Sequence, residues 1–545
     1  MGDQLPGELW LHFVTTILLT LVVSQVILAW YRRSVAEAMG TAGAPSTATA
    51  SWLQDRAPHR NIADPAQQAN SEITFAAETA LLWRVGVIYG LGAFAAALVM
   101  TALFLIALGG AFVAIRAIVI LYVFCWPIVP TICLLLVVPR GRTLLACAAY
   151  VAAGLLVLVI LPAAIQYTLG WAGSISLHNA VPLLQFLAMQ AWLPLLIILV
   201  TSGRRIRSIT PLVLAGLLLF SFGNFAAGYA LIAAMDFGAV SNVVLSWGAQ
   251  AGSTAWYMLA ALPTGYVCWR GLRWLSRQYE RKAFSDAQLL IDAWWLIIAF
   301  NFSLFLIHDF GWLGIVGLSG FAAFRAVVAA GLRLWPFDDA RPSNRRLLLL
   351  RVFGFQRRTE KLFDIVAQRW RWVGSVRMIA GTDLATRIIT PGDLISFVGG
   401  RLRQLFVSRD DASLQRLDKL DDLRDPDGRY RVNKLYCHQD SWQPALQHLL
   451  AKAEFVLMDL RGFSENNQGC LFELQQIAQQ ELLRRSIFVV DDTTDSKLVK
   501  AVLLDGRTPG LLAGEYGTQD VNLVYARSAS RSDVTEVYGA LKALL

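Results

Sequence analysis

Charged residues are scarce in this sequence of 545 residues: 16% of the chain, against 56% hydrophobic, where soluble domains carry about a quarter. The scarcity is local. Leu9 to Leu334 is a series of apolar runs, whereas the chain from Arg341 onward has an ordinary soluble composition. Two regions adapted to two solvents follow from that contrast. Cysteine is also sparse. Of six residues, Cys125, Cys133, Cys147 and Cys268 lie inside apolar segments. Cys437 and Cys470 stand in the soluble part without a CxxC or a nearby His pair, which excludes a disulfide framework and gives no metal site. The first apolar run has neither a basic leader nor an A-x-A site, and at about 20 residues it can span, so a retained helix is expected. Lys and Arg are missing altogether from 166–180, 236–250 and the turn at 308–311.

That last absence orients the chain. The spacing predicts nine spans near 9–30, 85–108, 113–138, 143–164, 181–201, 210–234, 251–268, 287–307 and 313–334. Arg32 and Arg33, Arg140 and Arg142, Arg204 to Arg207, and Arg270 to Lys282 fall in alternate connections, hence on one side. By the positive-inside rule the N-terminus is outside and the C-terminal part cytoplasmic, as in a bacterial inner membrane. The net charge of +9 therefore serves topology, and nucleic acid is not an expected partner. Trp10, Trp30, Trp83, Trp171, Trp312 and Trp335 sit at the ends of runs, at headgroup level. Residues 41–51, rich in Ala, Ser and Thr, read as linker within the loop 34–84. Arg325 falls mid-span and needs a partner, for which Asp292 on the preceding span is placed. The pair reads either as a structural bridge or as part of a signalling or transport path.

From 341 to 545 short apolar strands alternate with amphipathic stretches. Expected strands are Leu347–Val352, Val376–Ala380, Lys434–Cys437, Phe455–Asp459, Ile487–Val490 and Val521–Tyr525; helices fill the gaps, including Thr359–Trp370, Gln443–Lys452, Gly469–Leu483, Ser496–Leu504 and Asp533–Leu544. Residues 391–406 read as partly helical and 409–431 as an excursion from the core. This alternation predicts an α/β domain with a mainly parallel sheet. Ligands in such sheets bind at the carboxyl ends of strands, beside the switch in strand order.

The stretch from Val456 to Leu474 carries the most chemistry. A strand ends at Asp459, a polar loop holds Arg461, Gly462, Ser464, Asn466, Asn467 and Gly469, and Glu473 follows one turn into a helix. Beside the apolar face of Cys470, Leu474, Ile477 and Ala478, that carboxylate stands at the border of core and cleft. It could hold a ribose or assist glycosidic cleavage. Alternatively Ser464 or Asn467 caps the helix and Glu473 favours its positive end. Asp491 and Asp492 end another strand, where they either bind a metal or ribose or start a turn. Gly354 to Arg358 lacks the glycine spacing of a phosphate loop, so anion binding there would rest on Arg357 and Arg358. His438 and Asp440 read as loop residues.

The order of strand, Ser-containing loop and Gly469-Cys470-Leu471-Phe472-Glu473-Leu474, with Ala478 following, resembles the Toll/interleukin-1 receptor (TIR) domain. It is also similar to the nucleoside 2-deoxyribosyltransferases, in which an Asp-bearing strand precedes the element supplying the nucleophile. The likeness covers 451–492, and Gly469 stands where the TIR element usually has Trp. Both families have flavodoxin-like sheets and act on N-glycosidic bonds. The resemblance implies Glu473 as catalytic carboxylate and Asp459, Arg461, Ser464, Asn467 and Gly469 as substrate-binding residues. It further implies NAD or a nucleoside as substrate, with no bound cofactor, and activation by association of tethered copies. Two other classes stay open: a non-catalytic receptor or scaffold with a nucleotide- or protein-binding domain, and a transporter with a regulatory domain.

Overall fold

The computed structural model describes residues 5–40, 71–109, 114–136, 140–156, 249–335, 345–351, 356–380, 406–408, 411–438, 441–505, 521–527 and 530–545, with isolated positions between them. The chain divides into two compact units: 1–29 with 84–336 and 390–392, and 30–83 with 337–389 and 393–545.

The first unit is helical. Its helices come from α1 (Leu5–Gly40), α2 (Ser71–Leu108), α3 (Ala114–Cys125), α4 (Ile128–Leu135), α5 (Arg140–Leu155), α6 (Ala249–Glu280), α7 (Asp286–Phe310) and α8 (Ser319–Leu334). Four segments, Ala80–Leu108, Arg116–Leu135, Asp286–Ile307 and Leu313–Leu334, are long and apolar enough to cross a bilayer. The expectation of nine spans is not supported: four meet the criterion among the described residues. Expected spans at 181–201 and most of 210–234 lie outside the described residues, and 143–164 is described only to 156. The helix carrying 251–268 is not among the four; Ser253, Thr254, Pro263 and Thr264 dilute its apolar character. For 9–30, the side chains before Leu18 lie outside the described residues.

The expected last span is not one α-helix. Gly311–Leu318 forms a 3-10 turn before α8 begins. Glycines at 311, 314 and 317 recur every three residues, the period of a 3-10 helix, and a Cβ on Gly314 would lie 2.2 Å from the Ile307 nitrogen. Bulk there would separate the turn from α7. Apolar burial gives little drive between helices in lipid, so close contact and polar bonds matter more. Gly320 lets α8 approach α2, where a Cβ would fall 2.7 Å from Met100 Cε. Trp295 stacks on Phe324 at 5.2 Å and donates its Nε1–H to Thr131 Oγ1 at 3.0 Å.

Arg325 Nη1 meets Asp292 Oδ2 at 2.8 Å, joining α7 to α8. Replacing Arg325 with Leu strands a carboxylate at membrane depth. A loss of about 3 kcal/mol is expected, the insertion cost of one charge. Thermal unfolding of the full chain in nanodiscs measures it. Recovery in an Asp292→Asn/Arg325→Leu double variant is expected; no recovery would show that the pair itself is not the stabilising element.

The second unit is built on seven parallel strands in the order β3-β4-β2-β1-β5-β6-β7. These are β1 (Leu347–Arg351), β2 (Val376–Ala380), β3 (Phe406–Val407), β4 (Val432–Cys437), β5 (Phe455–Asp459), β6 (Ser486–Val490) and β7 (Asn522–Tyr525). β1 and β5 are buried at every position, as expected for central strands covered on both faces. Leu348, Leu350, Val456 and Met458 face the core under α11 (Trp442–Lys452), α12 (Gln468–Gln479) and α13 (Ser496–Asp505), after α10 (Asp411–Arg416). Leu347, Leu349, Phe455 and Leu457 face the core under α9 (Gln356–Trp370) and α14 (Arg531–Ala543). β3 has only two residues, too few for a periodic signal in sequence.

Of the segment expected as an excursion, 409–431, the described residues from 411 onward are instead held against the amino ends of β2 and β4. Arg377 Nη2 meets Asp422 Oδ2 at 2.7 Å, Arg431 Nε meets Asp425 Oδ1 at 2.8 Å, and Arg429 stacks over Trp372 at 4.5 Å. Several of its charges are buried in ion pairs, as with Asp425 and Asp427, so high charge did not mean full solvation. Most of 391–406 lies outside the described residues.

Candidate functional site

The strand order decides where to look. The chain leaves β1 for β2 on one side, then returns to place β5, β6 and β7 on the other. The reversal lies between β1 and β5, and the crevice at their carboxyl ends is where such a sheet accepts ligand. Parallel register sets Arg351 beside Asp459 at this edge, and both are buried.

Glu473 reaches the same edge from α12. The helix buries Cys470, Glu473, Leu474 and Ile477 together, and Glu473 is 3% exposed. Its Oε2 is buried without a hydrogen-bond partner. Burial pushes its pKa up to about 8, with the charge of Arg351 drawing it part of the way back. A carboxyl buried in this way keeps its proton at neutral pH, because the ionised form would be an uncompensated buried charge. Perturbed groups of this kind collect at functional sites.

Asp459 and Arg461 are brought together, with each other. Arg461 donates from Nε to Asp459 Oδ1 at 2.8 Å and from Nη2 to Oδ2 at 2.7 Å, and its backbone N–H also reaches Oδ1 at 3.2 Å. Nη1 donates to the Ala526 carbonyl at 3.5 Å, beyond the end of β7. Gly462, at φ 74°, turns the chain away after this clasp. The side chains expected to line a pocket thus bind one another and fix the loop.

Ser464 and Asn467 close the next turn. Asn467 Oδ1 accepts from the Ser464 N–H at 2.9 Å and from its hydroxyl at 3.1 Å, while the Asn467 N–H donates to the Ser464 carbonyl at 3.0 Å. Asn467 occupies the N-cap of α12 without a side-chain cap bond, so the capping alternative does not describe it. At Gly469 a Cβ would meet Trp442 at an ordinary 3.9 Å, so packing does not require glycine there.

The weaker candidates resolve locally. Asp491 Oδ1 accepts from the Thr493 N–H at 3.0 Å and from its hydroxyl at 2.6 Å, a turn motif, and Asp492 pairs with Arg527 at 2.7 Å. His438 stacks on Phe406 at 5.2 Å; Asp440 lies outside the described residues. So do Gly354 and Phe355, while Gln356 to Arg358 begin α9. No group of three potential metal ligands occurs among the described residues.

Sequence reasoning missed Arg351. Its signal was available in Leu-Leu-Leu-Leu-Arg: a cation ending a strand of unbroken leucines, at the edge where ligands bind. Comparison with protein-family models, with curated proteins and with solved structures finds no match to this chain.

Proposed function

We propose that this chain is a membrane-anchored signalling or defence effector whose α/β unit binds a nucleotide and cleaves its N-glycosidic bond, with NAD or a nucleoside as substrate. One observation carries the reading: Glu473, a buried carboxyl with an unbonded oxygen, stands with Arg351 at the reversal of strand order. Support also comes from topology. Within the larger sheet, β2-β1-β5-β6-β7 follows the flavodoxin-like order, the sheet of the TIR and deoxyribosyltransferase families that the Cys470-to-Leu474 element resembles.

In the proposed reaction the C–N bond breaks with its electron pair leaving on the nicotinamide nitrogen, which neutralises the pyridinium. The Glu473 carboxylate stabilises the cationic ribosyl centre. Water then adds to that centre and releases a proton, giving nicotinamide and ADP-ribose. Arg351 supplies positive charge for substrate phosphate. The alternating basic connections support a cytoplasmic α/β unit, and association of tethered copies would switch it on.

The pH dependence tests this reading. The reaction needs ionised Glu473, so kcat/KM for NAD, measured on the full chain, is expected to rise about tenfold per pH unit and level off near pH 8. A flat profile from pH 5 to 9 would remove Glu473 from the chemistry. A second reading, a nucleotide- or protein-binding receptor without turnover, is favoured by the mutual satisfaction of Asp459 and Arg461. It predicts saturable NAD binding with no product.

A further inference from the structure

Helix α6 carries a second surface, independent of the nucleotide site. Its exposed side changes character along its length. Met258, Leu259, Leu262 and Val267 are exposed apolar residues, Tyr266, Trp269 and Trp274 are exposed aromatics, and Arg270, Arg273 and Arg277 are exposed cations, with Arg281 in the following turn. Spacings of three and four residues hold the three helical arginines on one side, over about 10 Å at 1.5 Å per residue. The Arg273 guanidinium lies over Trp269, 3.7 Å from the ring centroid; a guanidinium on an aromatic face still has N–H groups to offer an anion.

The end of α6 is tied to a membrane span. The Tyr279 hydroxyl donates to Asp286 Oδ1 at 2.8 Å, and Tyr279 packs on Phe284 with ring centroids 5.9 Å apart. Asp286 opens the apolar segment Asp286–Ile307. The arginine stripe therefore ends at Arg277, two residues before the contact with the polar start of that segment. Glu280 is the single acid in α6, and no ion pair joins Arg270, Arg273 or Arg277 to another described residue.

We infer that the exposed face of α6 from Leu259 to Arg277 binds an anionic phospholipid. The phosphodiester lies among Arg270, Arg273 and Arg277, the glycerol region against Tyr266 and Trp269, and the acyl chains along Leu259 and Leu262. An acidic protein or a free phosphate would satisfy the arginines and leave the adjoining apolar residues in water. A lipid matches the whole gradient, charge to charge and chain to chain.

The full chain, purified in neutral detergent, is titrated with phosphatidylglycerol or phosphatidylcholine, and bound lipid is counted by native mass spectrometry. Wild type is expected to retain phosphatidylglycerol in preference. The Arg270→Gln/Arg273→Gln/Arg277→Gln variant should lose about a hundredfold in that affinity, given the contribution of each basic residue at a membrane surface. Arg273→Gln alone, which keeps two cations should the triple variant unfold, is expected to lose about fivefold. Arg33→Gln, changing an exposed arginine already paired to Glu37, should retain wild-type binding. Equal retention of both lipids by wild type, unchanged affinity in the α6 variants, or displacement of phosphatidylglycerol by millimolar inorganic phosphate would each overturn the inference.

Discussion

Glu473→Gln is expected to abolish NAD or nucleoside cleavage while making the folded chain more stable at alkaline pH. The loss of turnover should be on the order of 10²–10³-fold, the scale of one missing electrostatic stabiliser of the transition state. The stability change follows from linkage. An unfolded Glu ionises near 4.5, whereas buried Glu473 holds its proton to about 8. The folded state binds more protons between those values, so its stability falls as pH rises through that window. The contribution is fully present below about pH 4.5 and lost above about 8, on the order of 5 kcal/mol at 1.36 kcal/mol per pKa unit. Gln has no proton to lose and removes the slope. Unfolding midpoints of both forms in nanodiscs should agree near pH 5 and diverge in favour of the variant towards pH 8. A structural carboxylate, stabilised by its surroundings, would show the opposite: a destabilised Gln variant at every pH.

The second large effect concerns the clasp after β5. Arg461→Met should destabilise the chain by about 3–5 kcal/mol, because it leaves Asp459 buried and uncompensated. Both partners are at most 2% exposed, so solvent does little to screen the loss. Asp459→Asn/Arg461→Met replaces both charges and should recover most of it. Unfolding midpoints of the two single variants and the double variant supply the cycle. An Arg461→Met variant as stable as wild type, but deficient in NAD binding, would instead assign Arg461 to the substrate.

These two predictions mark how far the sequence was legible. The α/β unit could be read because β1 and β5 are uninterrupted apolar runs and the intervening helices bury one face; Val376–Ala380 and Phe455–Asp459 match at both ends. That Glu473 follows a strand and a polar loop by one helical turn could be read; that it is buried with the apolar face of the helix, and not at the border of core and cleft, could not. Nor could the partners of Asp459. Its pairing with Arg461 depends on the turn just past the strand end, where the Arg461 N–H comes back to Asp459 Oδ1, and two residues apart on a straight strand they would have read as neighbours lining one face. The cation ending β1 was legible, but its neighbour was not, because only the strand order puts β1 next to β5 and Arg351 beside Asp459. In the membrane unit, the length of the apolar runs gave spans at 85–108 and 287–307, near Ala80–Leu108 and Asp286–Ile307, but not the 3-10 turn at Gly311–Leu318, whose glycine spacing repeats at three.

The central claim is that Glu473 performs chemistry on a nucleotide. Its most direct test is the release of nicotinamide from NAD, or of free base from nucleosides, by the full chain reconstituted at high density in lipid nanodiscs. Wild type and Glu473→Gln should be run side by side, each shown to be folded. Release by wild type and its disappearance in the variant are expected. Release at the same rate from both proteins would contradict it.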